Sequence, residues 1–330
     1  MTYQPPFSLT NKMLDRVSAF SERLGAWAGK DSAALAPMLR RGNRIRTIQA
    51  SLEIEQNTLT IEQVRAVIEG KTVLGPPREI QEVKNAFAAY EKLEQWAPSQ
   101  EQDLLDAHGL LMAGLVEEPG QFRSGGVGVF QGEKLIHAAP PAKQVPRLMN
   151  DLLNWLKQTD LHPLLSSCLF HYEFEFIHPF SDGNGRMGRL WQTLILSQWR
   201  AELAWLPVES LVRDRQQAYY DALARADEQA EGTLFVEFMV NALTDALEQA
   251  LAQDGGVSGG VSGGVNLKLD ALDRRILSLC GENPTLTQGE LAAQIDKPLR
   301  TIQRRIQKLK QSHLRRVGSD KAGHWEVVRD

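Results

Sequence analysis

Apolar positions recur at helical spacing through most of the 330-residue chain, and Pro, Gly and Ser mark the breaks between them. An extended Pro5-Pro6 arm leads to a helix from about Thr10, with Leu14, Val17, Phe20, Leu24 and Trp27 on one face. A second helix, Leu39 to Ile54, carries Arg40, Arg41, Arg44 and Arg46, which reads as a solvated or salt-bridged face rather than a nucleic-acid surface. Thr60 with Gln63 three residues later is a capping box opening the next helix, and Gly75-Pro76-Pro77 ends it. A helix then runs from about Arg78 to Trp96. Pro98-Ser99 opens another, with Leu104, Leu105, His108, Leu111 and Met112 in one stripe, and His108 reads as a hydrogen-bonded core residue. Gln144 to Gln158 buries Val145, Leu148, Leu152, Leu153 and Leu156, and Pro163 to Phe176 follows as a second apolar helix. Leu190 to Trp199, Arg213 to Ala230 and Thr233 to Gln253 continue the helical pattern. The period changes at Val127, Val129 and Phe130, which face Leu135-Ile136-His137 across Gln131-Gly132-Glu133-Lys134 and predict a short β-hairpin.

A GGVS repeat over Gly255 to Val265 holds no side chain able to build a core, so it reads as a flexible linker. Beyond it, helices are expected over Asp270 to Cys280, Thr287 to Ile295 and Pro298 to Gln311, then a hairpin from Leu314 to Val328 around Ser319 to Gly323. Length allows two or three domains, and the expected boundaries are an N-terminal helical region 1–95, a core 96–253, a linker 254–266 and a C-terminal domain 267–330. Net charge is −4, but 267–330 holds 13 Lys/Arg against 8 Asp/Glu while the remainder holds 24 against 33. Cys168 and Cys280 each lie in an apolar helical pattern, which favours buried reduced thiols and argues against a disulfide framework. MTYQPPFSLT lacks a basic-then-apolar leader pattern, and no run of about 18 apolar residues occurs. A cytoplasmic protein with no membrane segment is the expectation.

The densest chemistry lies in His178-Pro179-Phe180-Ser181-Asp182-Gly183-Asn184-Gly185-Arg186-Met187-Gly188-Arg189. Its glycines stand where a loop meets a helix, so unpaired N–H groups and the positive helix end suit an anion. Arg186 and Arg189, three apart, share a face, and two converging guanidiniums favour a polyphosphate. Asp182 could hold a divalent metal on those phosphates. The stretch also reads as GxGxxG, but a dinucleotide fold needs a parallel sheet of β-branched strands that this pattern lacks. A plain helix cap would not explain His, Asp and Asn gathered around two glycines.

These twelve residues fill every fixed position of HxFx[D/E]GNGRxxR, and the chain resembles the Fic family, whose typical members transfer AMP from ATP to a protein hydroxyl. The resemblance implies a mainly α fold: a Fic-type helical bundle with a short β-hairpin flap. It implies that His178 is the base, that Asp182 binds Mg²⁺, and that Phe180 anchors the loop in the core. Gly183, Asn184, Gly185 and Gly188 would cradle ATP, Arg186 and Arg189 would bind its outer phosphates, and Tyr220 of the Tyr219-Tyr220 pair would flank adenine. Asp227 stands where relatives often have Asn. Ser51-Leu52-Glu53-Ile54-Glu55-Gln56-Asn57 resembles the family's inhibitory motif [S/T]xxxE[G/N], so Ser51 and Glu55 would engage Arg189; Gln56 departs from the usual Gly or Asn. The flap residues Val127, Val129, Phe130, Leu135 and Ile136 would hold a target segment by strand addition.

The implied activity is transfer of AMP to a Ser, Thr or Tyr hydroxyl, self-modification included, with a homodimer allowed. Removal of AMP from a protein and a DNA-binding regulator that only senses ATP are the alternatives. The C-terminal three helices and hairpin resemble a winged-helix domain. Arg300, Arg304, Lys308, Arg315 and Arg316 there suit duplex DNA, with protein docking as the competing reading.

Overall fold

A computed structural model describes residues 3–28, 37–131, 134–254, 271–295, 297, 299–309, 314–317 and 324–327. The chain divides into two compact units, Met1–Gly256 and Val257–Asp330. Both are mainly helical, and the strands among the described residues form two antiparallel pairs.

The first unit begins with α1 (Asn11–Ala28) and α2 (Pro37–Ile54). On α1, Phe20 and Leu24 are buried as the spacing put them and Val17 is part-buried, but Met13 takes the core place expected for Leu14, which is half exposed; the Trp27 side chain lies outside the described residues. On α2, Arg44 corrects the reading of a solvated arginine face. It is buried, with its guanidinium 4.4 Å from the Trp205 ring centroid and 4.8 Å from that of Tyr90, and Nη1 donates to the Ala204 carbonyl. Two rings and a carbonyl replace the water that such a cation otherwise needs.

Thr60 and Gln63 form the expected capping box at the start of α3 (Ile61–Ile68). α4 (Pro77–Glu91) ends in a 3-10 turn at Leu93–Gln95, and α5 (Glu101–Leu111) follows. The hairpin is β1 (Gly128–Gln131) with β2 (Lys134–Ala138), and its register shifts between Val129 and Phe130. Gly132 and Glu133 lie outside the described residues, as do the side chains of Val129, Phe130, Leu135 and Ile136. α6 (Val145–Gln158) buries Val145, Met149, Leu152 and Leu153, and leaves Leu148 and Leu156 partly covered.

At the centre stand α7 (Pro163–Ile177) and α8 (Asn184–Trp199), packed together along their length. α7 is buried on nearly every side, including His171, Glu173 and Glu175. Around this pair, α1 packs on α11 (Thr233–Asp254), and α11 packs on α7. The helix expected over Arg213 to Ala230 is α10 (Gln216–Gln229), and a break at Arg215 separates it from the short α9 (Val208–Asp214), which takes in Arg213 and Asp214. The break lets α9 lie on α2 while α10 lies on α11. The N-terminal arm is tied to the same side: the Tyr3 hydroxyl donates to Glu173 Oε2 at 2.6 Å, and the Gly232 amide donates to the Pro6 carbonyl.

The second unit has its own core of Ile276, Leu279, Cys280, Leu291, Ile302, Ile306, Leu309, Leu314 and Trp325. It comprises α12 (Ala271–Glu282), α13 (Gln288–Ile295), α14 (Leu299–Leu309) and the pair β3 (Leu314–Val317) and β4 (His324–Val327). This is three helices and a wing. The GGVS segment and residues 318–323 lie outside the described residues. Among the described residues, no helix is long and apolar enough to cross a membrane.

Candidate active site

The motif occupies the turn between α7 and α8. His178 caps α7 in the left-handed region (φ 50°, ψ 62°), which turns the chain sharply out of the helix. Phe180 re-enters the core, fully buried, with its ring stacked 3.7 Å from the His108 ring. His108 accepts from the Gly120 amide at Nδ1, and its Nε2 lies 3.1 Å from the Asp182 carbonyl. Burial pushes its imidazole down to about 4, so it is neutral and its Nε2–H points at that carbonyl. The Asn184 side chain spans the loop, accepting from the Phe180 amide and donating to the Phe180 carbonyl, both at 2.9 Å. Its amide group therefore shapes the turn.

Gly183 precedes α8 at φ 86°, and a β-carbon there would meet Met112 Sδ at 2.6 Å, so both conformation and space require glycine. α8 then presents its first-turn N–H groups at the loop. Asp182 Oδ1 accepts from the Gly183 amide at 2.6 Å and from Arg186 Nη2 at 3.0 Å, while Oδ2 is 3.3 Å from Arg78 Nη2. Arg186 is buried and also faces Glu82 at 3.5 Å, and its Nε is buried with no hydrogen-bond acceptor among the described residues. Arg78 and Glu82, both on α4, were not singled out from the sequence. They carry no spacing signal relative to the motif, which lies about 100 residues away.

Arg189 is 3% exposed, and the last turn of α2 with the residue just past it supplies its partners. Nε donates to Ser51 Oγ at 3.1 Å, and Nη2 donates to the Ser51 carbonyl at 3.0 Å and to Glu55 Oε1 at 2.8 Å. Burial alone would lower this guanidinium; Glu55, Tyr219 and Glu175 more than reverse that and hold it above its ordinary value. A β-carbon on Gly185 would meet Glu55 Oε1 at 2.5 Å, so the carboxylate rests on the first turn of α8. An anion from the residue just past α2 thus occupies the place where α8 and Arg189 attract negative charge.

α2 ends in a Schellman motif: the Asn57 amide donates to the Leu52 carbonyl and the Gln56 amide to the Glu53 carbonyl, each at 3.0 Å. The residue that must turn left-handed is Gln56, at φ 70°. Asn57 donates to Glu82 Oε2 at 2.9 Å, which joins this helix end to the α4 carboxylate facing Arg186.

Behind His178, the buried Glu175 carboxylate lies 3.9 Å from His178 Nδ1 and 3.6 Å from His171 Nε2. Burial would raise it, but His171, His178 and Arg189 hold it below the usual carboxylate range. A β-carbon on Gly188 would meet Glu175 Oε1 at 2.9 Å, so this glycine makes room for the carboxylate and for His171. Of the tyrosine pair, Tyr219 is buried with its hydroxyl 3.0 Å from His171 Nε2, while Tyr220 is part-exposed. Asp227 accepts from the Tyr172 hydroxyl at 3.4 Å. Arg123 was also missed by sequence reading; its buried guanidinium donates to the His178 carbonyl at 2.7 Å.

In the second unit, Arg300, Arg304 and Lys308 fall at four-residue spacing on α14, and Arg315 and Arg316 fall on β3. Arg315 is exposed and lies 3.7 Å from Glu326; the side chains of the other four lie outside the described residues.

Comparison with known proteins agrees with this architecture. The profile of the Fic/DOC family matches residues 98–196, and that of the winged helix-turn-helix DNA-binding family matches 269–314. The protein adenylyltransferase Fic of Nematostella vectensis is 29% identical over 66% of this chain and 51% of its own length. That of Aedes aegypti is 31% identical over 56% of this chain and 37% of its own length, so the chain spans about half or less of these curated relatives. The crystal structure of a Fic family protein from Desulfovibrio desulfuricans G20 is 49% identical, covers 99% of both chains and superposes with a TM-score of 0.75. With such identity over its full length, and with the complete motif folded into the α7–α8 turn, this chain belongs to the Fic family.

Proposed function

We propose that the chain is a protein adenylyltransferase restrained by Glu55. The observation that carries this reading is the α7–α8 turn itself: an imidazole, a carboxylate and two guanidiniums beside the N-terminus of α8. The adenylyltransferase names of the animal relatives support it. ATP would lie with its phosphates against Gly183, Asn184 and Gly185, using main-chain N–H groups, with Arg186 and Arg189 on the outer phosphates and Tyr220 beside adenine. The orphaned Nε of Arg186 fits an anionic oxygen better than any other partner.

Asp182 suits Mg²⁺. It is a half-exposed carboxylate beside a phosphate site, and Mg²⁺ takes one or two carboxylates with phosphate oxygens and water rather than an all-protein cage. When bound, the ion would neutralise phosphate charge. The hydroxyl oxygen of a target Ser, Thr or Tyr would bond to the α-phosphorus as the bond to the bridging oxygen breaks and diphosphate leaves. The hydroxyl proton passes to the His178 imidazole, and the buried Glu175 carboxylate favours the imidazolium so formed. The β1–β2 pair has no third strand among the described residues, which suits a target segment adding at its edge.

Incubation with Mg²⁺-ATP should give an AMP adduct by mass spectrometry, on the chain itself or on a partner. His178→Ala should cut its formation by about 10²- to 10⁴-fold while ATP binding persists. Transfer by His178→Ala at near the unaltered rate would sink the mechanism.

Duplex DNA is the partner we propose for the second unit, on its family match and its basic excess. Binding by the full chain should weaken steeply with salt and vanish on Arg300→Glu with Arg304→Glu, leaving AMP transfer intact. No affinity at low salt would favour protein docking.

A further inference from the structure

Arg123 lies in the loop between α5 and β1, 5% exposed, and among the described residues its side chain donates to main-chain carbonyls. Nε donates to His178 O at 2.7 Å, Nη1 to Gly125 O at 2.8 Å, and Nη2 to Pro140 O at 2.6 Å and Ile177 O at 3.2 Å. Its own amide donates to Pro179 O at 2.9 Å. These partners fall into two groups. Ile177, His178 and Pro179 are the end of α7 and the start of the motif turn. Gly125 and Pro140 are the two feet of the hairpin, which closes between them where the Ala139 amide donates to the Val127 carbonyl. One planar fork therefore bolts both feet of the hairpin to the backbone of His178.

Two physical facts make this more than a loop contact. His178 is a non-glycine residue held at φ 50°, a conformation that persists only where its surroundings over-determine it. Its carbonyl, and that of Ile177, are among the unpaired acceptors at a helix C-terminus, where a cation is favoured. The guanidinium can satisfy carbonyls in two directions at once because its five donors are fixed in a plane; a lysine ammonium in the same space is a single point.

We propose that Arg123 is a positioning residue for AMP transfer, coupling the flap that holds the target segment to the imidazole that takes its proton. This rests on the adenylyltransferase reading and adds to it how the hydroxyl's height over His178 is set. A strand paired to the flap is carried by Gly125 and Pro140, and Arg123 relates both to His178. Loosening that relation displaces the hydroxyl from the base without touching the phosphate cradle, and about 1 Å of displacement is worth ~10²-fold in rate.

The test uses the full chain with Glu55→Gly, so that the restraint does not mask rates, with and without Arg123→Lys. The lysine variant should lose about 10- to 100-fold in kcat for AMP adduct formation, while KM for ATP stays within about twofold and the melting temperature within a few degrees. A rate within twofold overturns the proposal; so does a loss in which KM and melting temperature move with kcat, which would mean a merely structural role. Amide hydrogen exchange in the unaltered chain gives a second readout that needs neither a folded variant nor activity. Amides of 124–131 and 134–139 should open with the same free energy as those of 178–183. Separate openings would sever the coupling. If the Glu55→Gly chain forms no adduct at all, the adenylyltransferase reading fails, and the exchange result alone then decides whether flap and turn move together.

Discussion

The motif turn and the end of α2 meet at Arg189, yet they are built in opposite ways. In the turn, Asn184 is hydrogen-bonded at both ends of its amide, Phe180 is sealed under His108, and Gly183 sits in a conformation natural to glycine. At the end of α2, a single Glu55 carboxylate, about one third exposed, supplies the ion pair, and the residue that turns the helix is a glutamine in the left-handed region. The first region resists displacement because moving it would orphan several buried polar groups. The second can be displaced for the loss of a few contacts. Under the proposed function, the chemistry would lie in a rigid turn and the restraint in a segment that can be displaced.

The strongest way to break this contrast is to remove the Glu55 carboxylate. A hydrogen-bonded pair with a charged partner is worth about 1.5–3 kcal/mol, so Glu55→Gly should raise the initial rate of adduct formation by about 10- to 100-fold at saturating Mg²⁺-ATP. Arg189→Ala in the same chain should abolish the gain. A rate within twofold of the unaltered chain would mean that the Arg189–Glu55 pair does not govern ATP. Gln56 sharpens the same comparison. If release unwinds the helix end, Gln56→Gly should favour the restrained state by about 1 kcal/mol, because glycine reaches φ 70° without the clash of a β-carbon, and lower the basal rate about fivefold. An unchanged rate would place the moving part elsewhere.

The smallest expected effect concerns two buried titratable groups, Glu173 on α7 and His108 on α5. Glu173 is pushed up to about 7 by burial, partly offset by the Tyr3 hydroxyl and reinforced by Asp227. Its folded value is raised, so its contribution to stability is present below about 4.5 and is lost as pH rises toward 7. His108 is depressed to about 4, so the folded chain binds fewer protons than the unfolded one and stability is lost as pH falls from about 6.5 toward 4. The two slopes oppose each other between about 4.5 and 6.5. Glu173→Gln should therefore leave a melting temperature that climbs more steeply with pH across that interval, by a few degrees. A parallel curve would mean that Glu173 titrates normally.

Much of this protein is legible without coordinates because much of it is local. Twelve contiguous residues carry the motif, a capping box spans Thr60 to Gln63, and a change of period announces the hairpin, so each can be read within one segment. Gln56 shows the limit even of local reading. The sequence marks it as a departure, but the Schellman bonds reveal that glutamine adopts the turn usually left to glycine or asparagine.

What the chain determines by itself is the set of groups and their spacing: the imidazole, the carboxylate, the paired arginines, the helical periods and the basic excess after the GGVS segment. Tertiary structure decides which of them meet. Arg44 looks like its surface neighbours until Trp205, 161 residues on, lies beside it. Arg123 is one arginine in a loop until His178 and Pro140 converge on it, and Glu55 is one acid among many until α2 packs against α8. Burial and partnership are properties of the assembled core, where a charge must find its acceptors from whichever segments packing brings near, and no spacing along the chain encodes that.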